Sequence, residues 1–149
     1  MSSHGGFIGV TLALLWFART HKVALLALAD LVVVPAAIGL ALGRFGNFIN
    51  QELYGIPTTL PWGIEIPGVE ELRHPTQLYA VAKDLLIALC CYLHLQSAAK
   101  KPGQTTALFL MLYAVLRFLN EFLRVQDHPP LTLAGLTLSR GQWYTLPLL

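Results

Sequence analysis

The chain has 149 residues, of which 55% are apolar and 12% charged, with a net charge of +2 and a mean hydropathy of +0.59. A soluble domain carries about twice that share of charge, so the composition excludes an ordinary water-soluble fold and points to a membrane protein. The small net charge, with no basic arm and no zinc-type spacing, excludes nucleic acid as a partner.

A helix needs about 20 apolar residues to cross a bilayer core. The first apolar run, Phe7–Ala18, is short and reaches spanning length only if it begins near Ser3 and the bilayer thins locally. It lacks the positive n-region of a signal peptide. Ala24–Gly43 is the second span, interrupted by Asp30 and Pro35. An irregular segment rich in glycine and proline follows, about residues 51–73. Gln77–Leu95 is the third span, interrupted by Lys83, Asp84 and His94, and Thr105–Leu123 is the fourth, interrupted by Arg117, Asn120 and Glu121. Trp143–Leu149 reads as the start of a fifth. The expected fold is an all-α polytopic membrane bundle, one domain over residues 1–149. Cys90 and Cys91 are adjacent in an apolar run, which rules out a disulfide framework and leaves them as packing residues.

The links Arg19–Lys22 and Lys100–Lys101 are basic, whereas Arg44–Thr76 carries more acidic than basic residues. Short basic links face the cytoplasm, so the long segment is expected outside. Polar clusters then fall at the outer helix ends: His4–Gly6, Arg44–Asn50, Arg73–Gln77, Arg117–Arg124 and Ser139–Trp143. Clusters on one face imply one outward-opening site.

Within Arg117–Arg124, the residues Arg117, Asn120, Glu121 and Arg124 share a helix face. A bare Arg or Glu near the hydrocarbon costs about 3 kcal/mol, so these side chains should face the bundle and pair. The plainer reading is a structural Arg117–Glu121 pair with Arg124 as an interfacial anchor. Arg44 offers a planar fork suited to phosphate, with the amides of Asn47 and Asn50 nearby and a ridge of Gly39, Gly43 and Gly46 that permits close approach. Together they suit an anionic lipid headgroup. Arg73-His74-Pro-Thr-Gln77 opens a helix whose free N–H groups favour an anion, reinforced by Arg73; His74 is equally a capping residue. His4 is a candidate general base, although a lone histidine is more often structural. Asp30, Lys83 and Asp84 read as packing or inter-helix partners away from the outer cluster. Lys83 and Asp84, being adjacent, do not share a helix face.

The ordered motifs His4–Val10, Gly43–Asn50 with Glu52–Gly55, Arg73–Tyr79, Tyr113–Arg124 and Gly141-Gln142 closely resemble those of bacterial prolipoprotein diacylglyceryl transferases. That family consists of seven-helix inner-membrane enzymes. They move the diacylglyceryl group of phosphatidylglycerol to the lipobox cysteine of a prolipoprotein and release glycerol phosphate. The resemblance implies no metal and no cofactor. Its partners are phosphatidylglycerol, the lipobox peptide and membrane lipid, and its site faces the periplasm. It implies catalytic roles for His4, Arg44, Arg117 and Glu121. Substrate contacts are implied at Asn47, Asn50, Glu52, Gly55 and Tyr113, and Arg73, His74, Gln77 and Tyr79 of the motif that opens the third span are further candidate substrate-binding residues. Three positions depart from the family pattern: Gln51 for glycine, which would narrow the headgroup pocket; Ile56 for arginine; and Ala80 for glutamate. The resemblance also implies further helices before His4 and a complete last helix, so the chain reads as truncated at both ends. A headgroup-binding remnant without turnover is the alternative. A transporter relay through Asp30, Arg117 and Glu121 fits less well, because the polar residues gather at one face.

Overall fold

A computed structural model describes residues 3–97, 101–125, 131–133 and 136–138. The described residues form four helices, α1 (Ser3–His21), α2 (Leu25–Ile49), α3 (Thr76–Leu95) and α4 (Gln104–Glu121), and one short hairpin, β1 (Leu131–Leu133) with β2 (Leu136–Leu138). The helices follow the expected apolar runs, with α1 beginning at Ser3 and α2 running on to Ile49. The hairpin is an element that the helix-only expectation omits. Leu-Thr-Leu occurs on both sides of Ala134-Gly135, a period-two pattern with a short turn that suits antiparallel pairing. The expected start of a fifth helix and the Ser139–Trp143 cluster lie outside the described residues.

Two helices, α2 and α3, are long and apolar enough to cross a membrane. Their large side chains point outward: Leu31, Leu42, Leu86 and Leu93 are all more than half exposed. A soluble helix would hide such a surface; here it suits contact with lipid. The interior is built instead from small residues. Ala37, Ala41, Ala80, Ala88, Cys91 and Ala114 are buried, and Val33, Ala37, Ile87, Ala88 and Cys91 form the centre on which Phe109, Leu112, Tyr113 and Leu116 pack. In lipid, helices associate through close packing rather than water exclusion, so small residues at the seam are favoured.

The packing sorts the helix ends. At one end Asp30, 4% exposed, accepts hydrogen bonds from Gly103 N (2.7 Å), Thr106 N (2.8 Å) and Thr106 Oγ1 (2.7 Å). The carboxylate thus caps the first turn of α4 from α2, satisfying donors that a helix start leaves unpaired. His94 Nδ1 lies 3.0 Å from Thr105 Oγ1 in the same neighbourhood. Asp30 is therefore the inter-helix partner that the sequence suggested. At the other end meet the end of α2, the start of α3 and the end of α4.

The irregular segment between α2 and α3 is organised by its own backbone. Ile64 and Arg73 exchange both hydrogen bonds at 2.9 Å, and Thr58 N donates to Leu72 O. Gly55 N reaches His74 O, and Ile56 N reaches Leu123 O at the end of α4. The turn out of α2 puts Gln51 and Leu53 at φ of 55° and 57°. L-residues pay roughly 1–2 kcal/mol for that left-handed backbone, whereas glycine does not. The glycine that the family pattern places at position 51 is the residue this geometry favours.

Candidate functional site

Where the three helix ends meet, a cleft is lined by Arg44 and Asn47 of α2, Leu53, Thr76, Gln77, Ala80 and Lys83 of the loop and α3, and Arg117, Asn120 and Arg124 at the end of α4. Four of these residues are cations and none is a carboxylate. The spacing explains the convergence. Arg44 and Asn47 are one turn apart on α2, Thr76, Ala80 and Lys83 form an i, i+4, i+7 stripe on α3, and Arg117, Asn120 and Arg124 form an i, i+3, i+7 stripe on α4.

The carboxylates that pair with two of these cations are not part of the lining. Arg117 pairs with Glu121 one turn on, and Glu121 is 5% exposed. Lys83 pairs with Asp84, and both side chains are buried. Arg44 makes no ion pair among the described residues. A concave surface lined by cations, with no carboxylate in its lining, attracts an anion.

The cleft also offers hydrogen-bond acceptors. Gln77 is 1% exposed, and its Nε2 donates to the carbonyl oxygen of Glu52 at 2.6 Å. That bond decides which end of the amide is which: the nitrogen faces Glu52, so Oε1 is the free end. Gln77 Oε1 and Asn120 Oδ1 are buried atoms with no hydrogen-bond partner among the described residues. An unpaired buried acceptor costs about 1–3 kcal/mol, so both atoms favour a ligand that brings hydroxyl or amide hydrogens.

Several expected site residues support the cleft from outside. Glu52 accepts Asn47 Nδ2 at 3.3 Å on its side chain, and Thr76 Oγ1 donates to Leu53 O. Asn50 caps the end of α2 and is exposed. Tyr113 stacks on Phe109 and lies under Lys83 Nζ, 4.7 Å from the ring centroid. His74, Tyr79 and Trp62 form a separate hydrogen-bonded group, with Trp62 Nε1 donating to Tyr79 Oη at 2.8 Å and His74 Nδ1 3.2 Å from it. Arg73 turns toward the loop, 3.8 Å from Glu71 and over the Tyr54 ring. His4 stands in the first turn of α1, and its side chain lies outside what the structure describes.

Gly55 works by absence. A Cβ there would stand 2.6 Å from Leu123 O and 2.7 Å from both His74 Cβ and Thr76 Cγ2. The loop passes between the start of α3 and the end of α4 only because this residue has no side chain. Gly55→Ala should therefore pry the two helix ends apart, lowering stability by about 1–3 kcal/mol and widening the cleft. Thermal unfolding in detergent checks this; an unchanged midpoint would contradict it.

Four expectations are corrected. Lys83 is not remote from the outer cluster; it lines the cleft, about 10 Å along α3 from Thr76, because its long stem reaches along the helix. The same reach brings it to Asp84 despite their adjacency. Arg124 also lines the cleft rather than serving only as an anchor. Gln51 does not narrow the cleft, since it is exposed on another groove with Phe48, Gly63 and Leu72. Nor does the ridge of Gly39, Gly43 and Gly46 meet a neighbour: nothing among the described residues comes within 4 Å of a Cβ placed at any of them.

The model of the family described as prolipoprotein diacylglyceryl transferase matches residues 1–149. Among similar curated proteins, one from Polynucleobacter asymbioticus is 44% identical over 151 residues, covering 100% of this chain and 57% of that protein. One from Nitrosomonas europaea is 42% identical, covering 100% of this chain and 54% of the relative. One from Bordetella avium is 42% identical, covering 99% and 56% respectively. All three are named phosphatidylglycerol–prolipoprotein diacylglyceryl transferase. The chain spans little more than half the length of these relatives.

Proposed function

Since the chain belongs to the prolipoprotein diacylglyceryl transferase family, we propose that its cationic cleft holds the headgroup of phosphatidylglycerol while the diacylglyceryl group passes to the lipobox cysteine of a prolipoprotein. The observation that carries this reading is the cleft wall of four cations and no carboxylate, with the unpaired acceptor Gln77 Oε1 among them. A phosphodiester answers the cations. The terminal glycerol hydroxyls answer Gln77 Oε1 and Asn120 Oδ1, which a phosphate alone, lacking hydrogens, leaves unsatisfied.

The reaction forms a bond between sulfur and the lipid's terminal glyceryl carbon as the bond from that carbon to the phosphate oxygen breaks. The electron pair stays on the departing glycerol phosphate, so negative charge grows there. Arg44 and Arg117, fixed before the reaction, stabilise that charge, and Glu121 orients Arg117. A free thiol has a pKa near 8.5 and attacks as thiolate; His4 is the proposed base. Asn47 and Gln77 line the headgroup site, with Asn50, Glu52 and Tyr113 around it. Gly55 holds the helix ends together, and Arg73, His74 and Tyr79 shape the loop beside them.

The four helices all cross the inner membrane in this reading, as one domain over residues 1–149. The links at Arg19–Lys22 and Lys101 face the cytoplasm, and the cleft and loop 51–73 face the periplasm. The Asp30 cap supports the arrangement, since it joins the starts of α2 and α4 at the end opposite the cleft.

The test is turnover in detergent. The purified chain is mixed with phosphatidylglycerol and a lipobox peptide, and mass spectrometry follows the thioether product. One glycerol phosphate per modified peptide is expected. Phosphatidylethanolamine serving equally well as donor would sink the headgroup assignment. Retained phosphatidylglycerol without product would leave a headgroup-binding protein only.

A further inference from the structure

Lys83 plays no part in the reaction as derived above, yet it lines the same cleft as Arg44 and Arg117. Its side chain is 9% exposed, and that of its partner Asp84 is 2% exposed. A buried ion pair is weak evidence for stability: removing both charges to water-free packing is often neutral or better. The pair therefore needs another reason to be there.

The surroundings supply one. The ammonium lies over the face of Tyr113, 4.7 Å from its centroid, and Tyr113 is itself held by stacking on Phe109. The ring and Asp84 both stabilise a positive charge at this point. Asp84 is not part of the cleft lining and takes one of the three Nζ donors, so hydrogens remain for a ligand in the cleft. Like charges on Arg44, Arg117 and Lys83 around one cleft repel one another unless an anion joins them.

We propose that Lys83 contacts the lipid phosphate directly, as a third cation beside Arg44 and Arg117, with Asp84 and the Tyr113 ring keeping it charged and aimed. This rests on the headgroup reading above. On α3 the lysine approaches from a different helix than either arginine, so each helix that meets at the cleft contributes one positive group to the phosphate. The ammonium takes no proton from the reaction and gives none; it lowers the energy of the oxygen that receives the electron pair.

The experiment must separate this role from mere partnership with Asp84. Lys83→Met combined with Asp84→Leu removes both charges and leaves no orphan. Lys83→Gln combined with Asp84→Asn keeps a neutral hydrogen-bonded pair and serves where the first variant does not fold. Affinity is measured on purified protein for phosphatidylglycerol against a phosphatidylcholine background, and transfer to a lipobox peptide is followed alongside. Both double variants should bind phosphatidylglycerol at least tenfold more weakly and transfer at least tenfold more slowly, whereas Lys83→Arg should keep most of both. Wild-type affinity and rate in a double variant would overturn the proposal and make Lys83 a structural partner of Asp84. Lys83-dependent phosphatidylglycerol binding by a wild-type chain that transfers nothing would instead overturn the transferase reading and leave the phosphate contact standing.

Discussion

Arg44→Ala is expected to slow diacylglyceryl transfer by about 10²–10³-fold, the usual cost of removing one fixed donor from a developing anion. The unfolding temperature should stay where it is, because Arg44 makes no ion pair among the described residues and no buried carboxylate depends on it. Arg44→Lys should recover only part of the rate, since an ammonium cannot make the planar two-pronged contact of a guanidinium. Arg117 is the instructive contrast. Its removal takes the paired cation from Glu121, which is buried at 5% exposure, and breaking such a pair from one side costs about 3–5 kcal/mol. Arg117→Ala should therefore lose folding and turnover together. Measuring rate and melting point for both variants separates the two roles. An Arg44→Ala protein with undiminished turnover would remove Arg44 from the chemistry.

Asp30→Ala is expected to produce a large loss of stability with little effect on the cleft. The substitution removes three hydrogen bonds, from Gly103 N, Thr106 N and Thr106 Oγ1, and leaves two main-chain donors bare at the start of α4. Hydrogen bonds to a charged group are worth about 1.5–3 kcal/mol each and do not add fully, so a loss of about 3–5 kcal/mol is expected. Asp30→Asn keeps one acceptor oxygen and should fall between. Arg44 stands about 20 Å further along α2 from Asp30, so the fraction that stays folded should transfer at the wild-type rate per molecule. Thermal unfolding in detergent with activity corrected for folded protein reads both; an Asp30→Ala protein as stable as wild type would show that α4 is capped some other way.

Much of this arrangement is legible in the residues themselves. Apolar runs of bilayer length mark α2 and α3, and the stripe Arg117–Asn120–Arg124 is read directly from helical spacing. Arg44 and Asn47 announce themselves because polar side chains are costly at a membrane boundary. Lys83 is where the sequence misleads, for a specific reason. Adjacency ties it to Asp84, whereas helical spacing ties it to Ala80 and Thr76, the residues three and seven places back along its stripe on α3. The stripe, not the adjacency, leads to the cleft. The tie between Asp30 and α4 spans more than seventy residues of sequence, and no local pattern encodes it. The hairpin escaped because three-residue strands are too short to stand out against long apolar helices. Gly55 was legible only as part of a motif, since the reason for it is the crowding of three separate segments around one atom position.

The bond between Gln77 and Glu52 carries a consequence for how this site tolerates change. Its acceptor is a carbonyl of the main chain, which every amino acid supplies. Substituting Glu52 removes the side-chain contact with Asn47 but leaves the amide of Gln77 pinned as before. The orientation of the acceptor that faces the cleft is thus insulated from the identity of its anchor, and a survey of single replacements would credit Gln77 alone for a geometry that two segments create together.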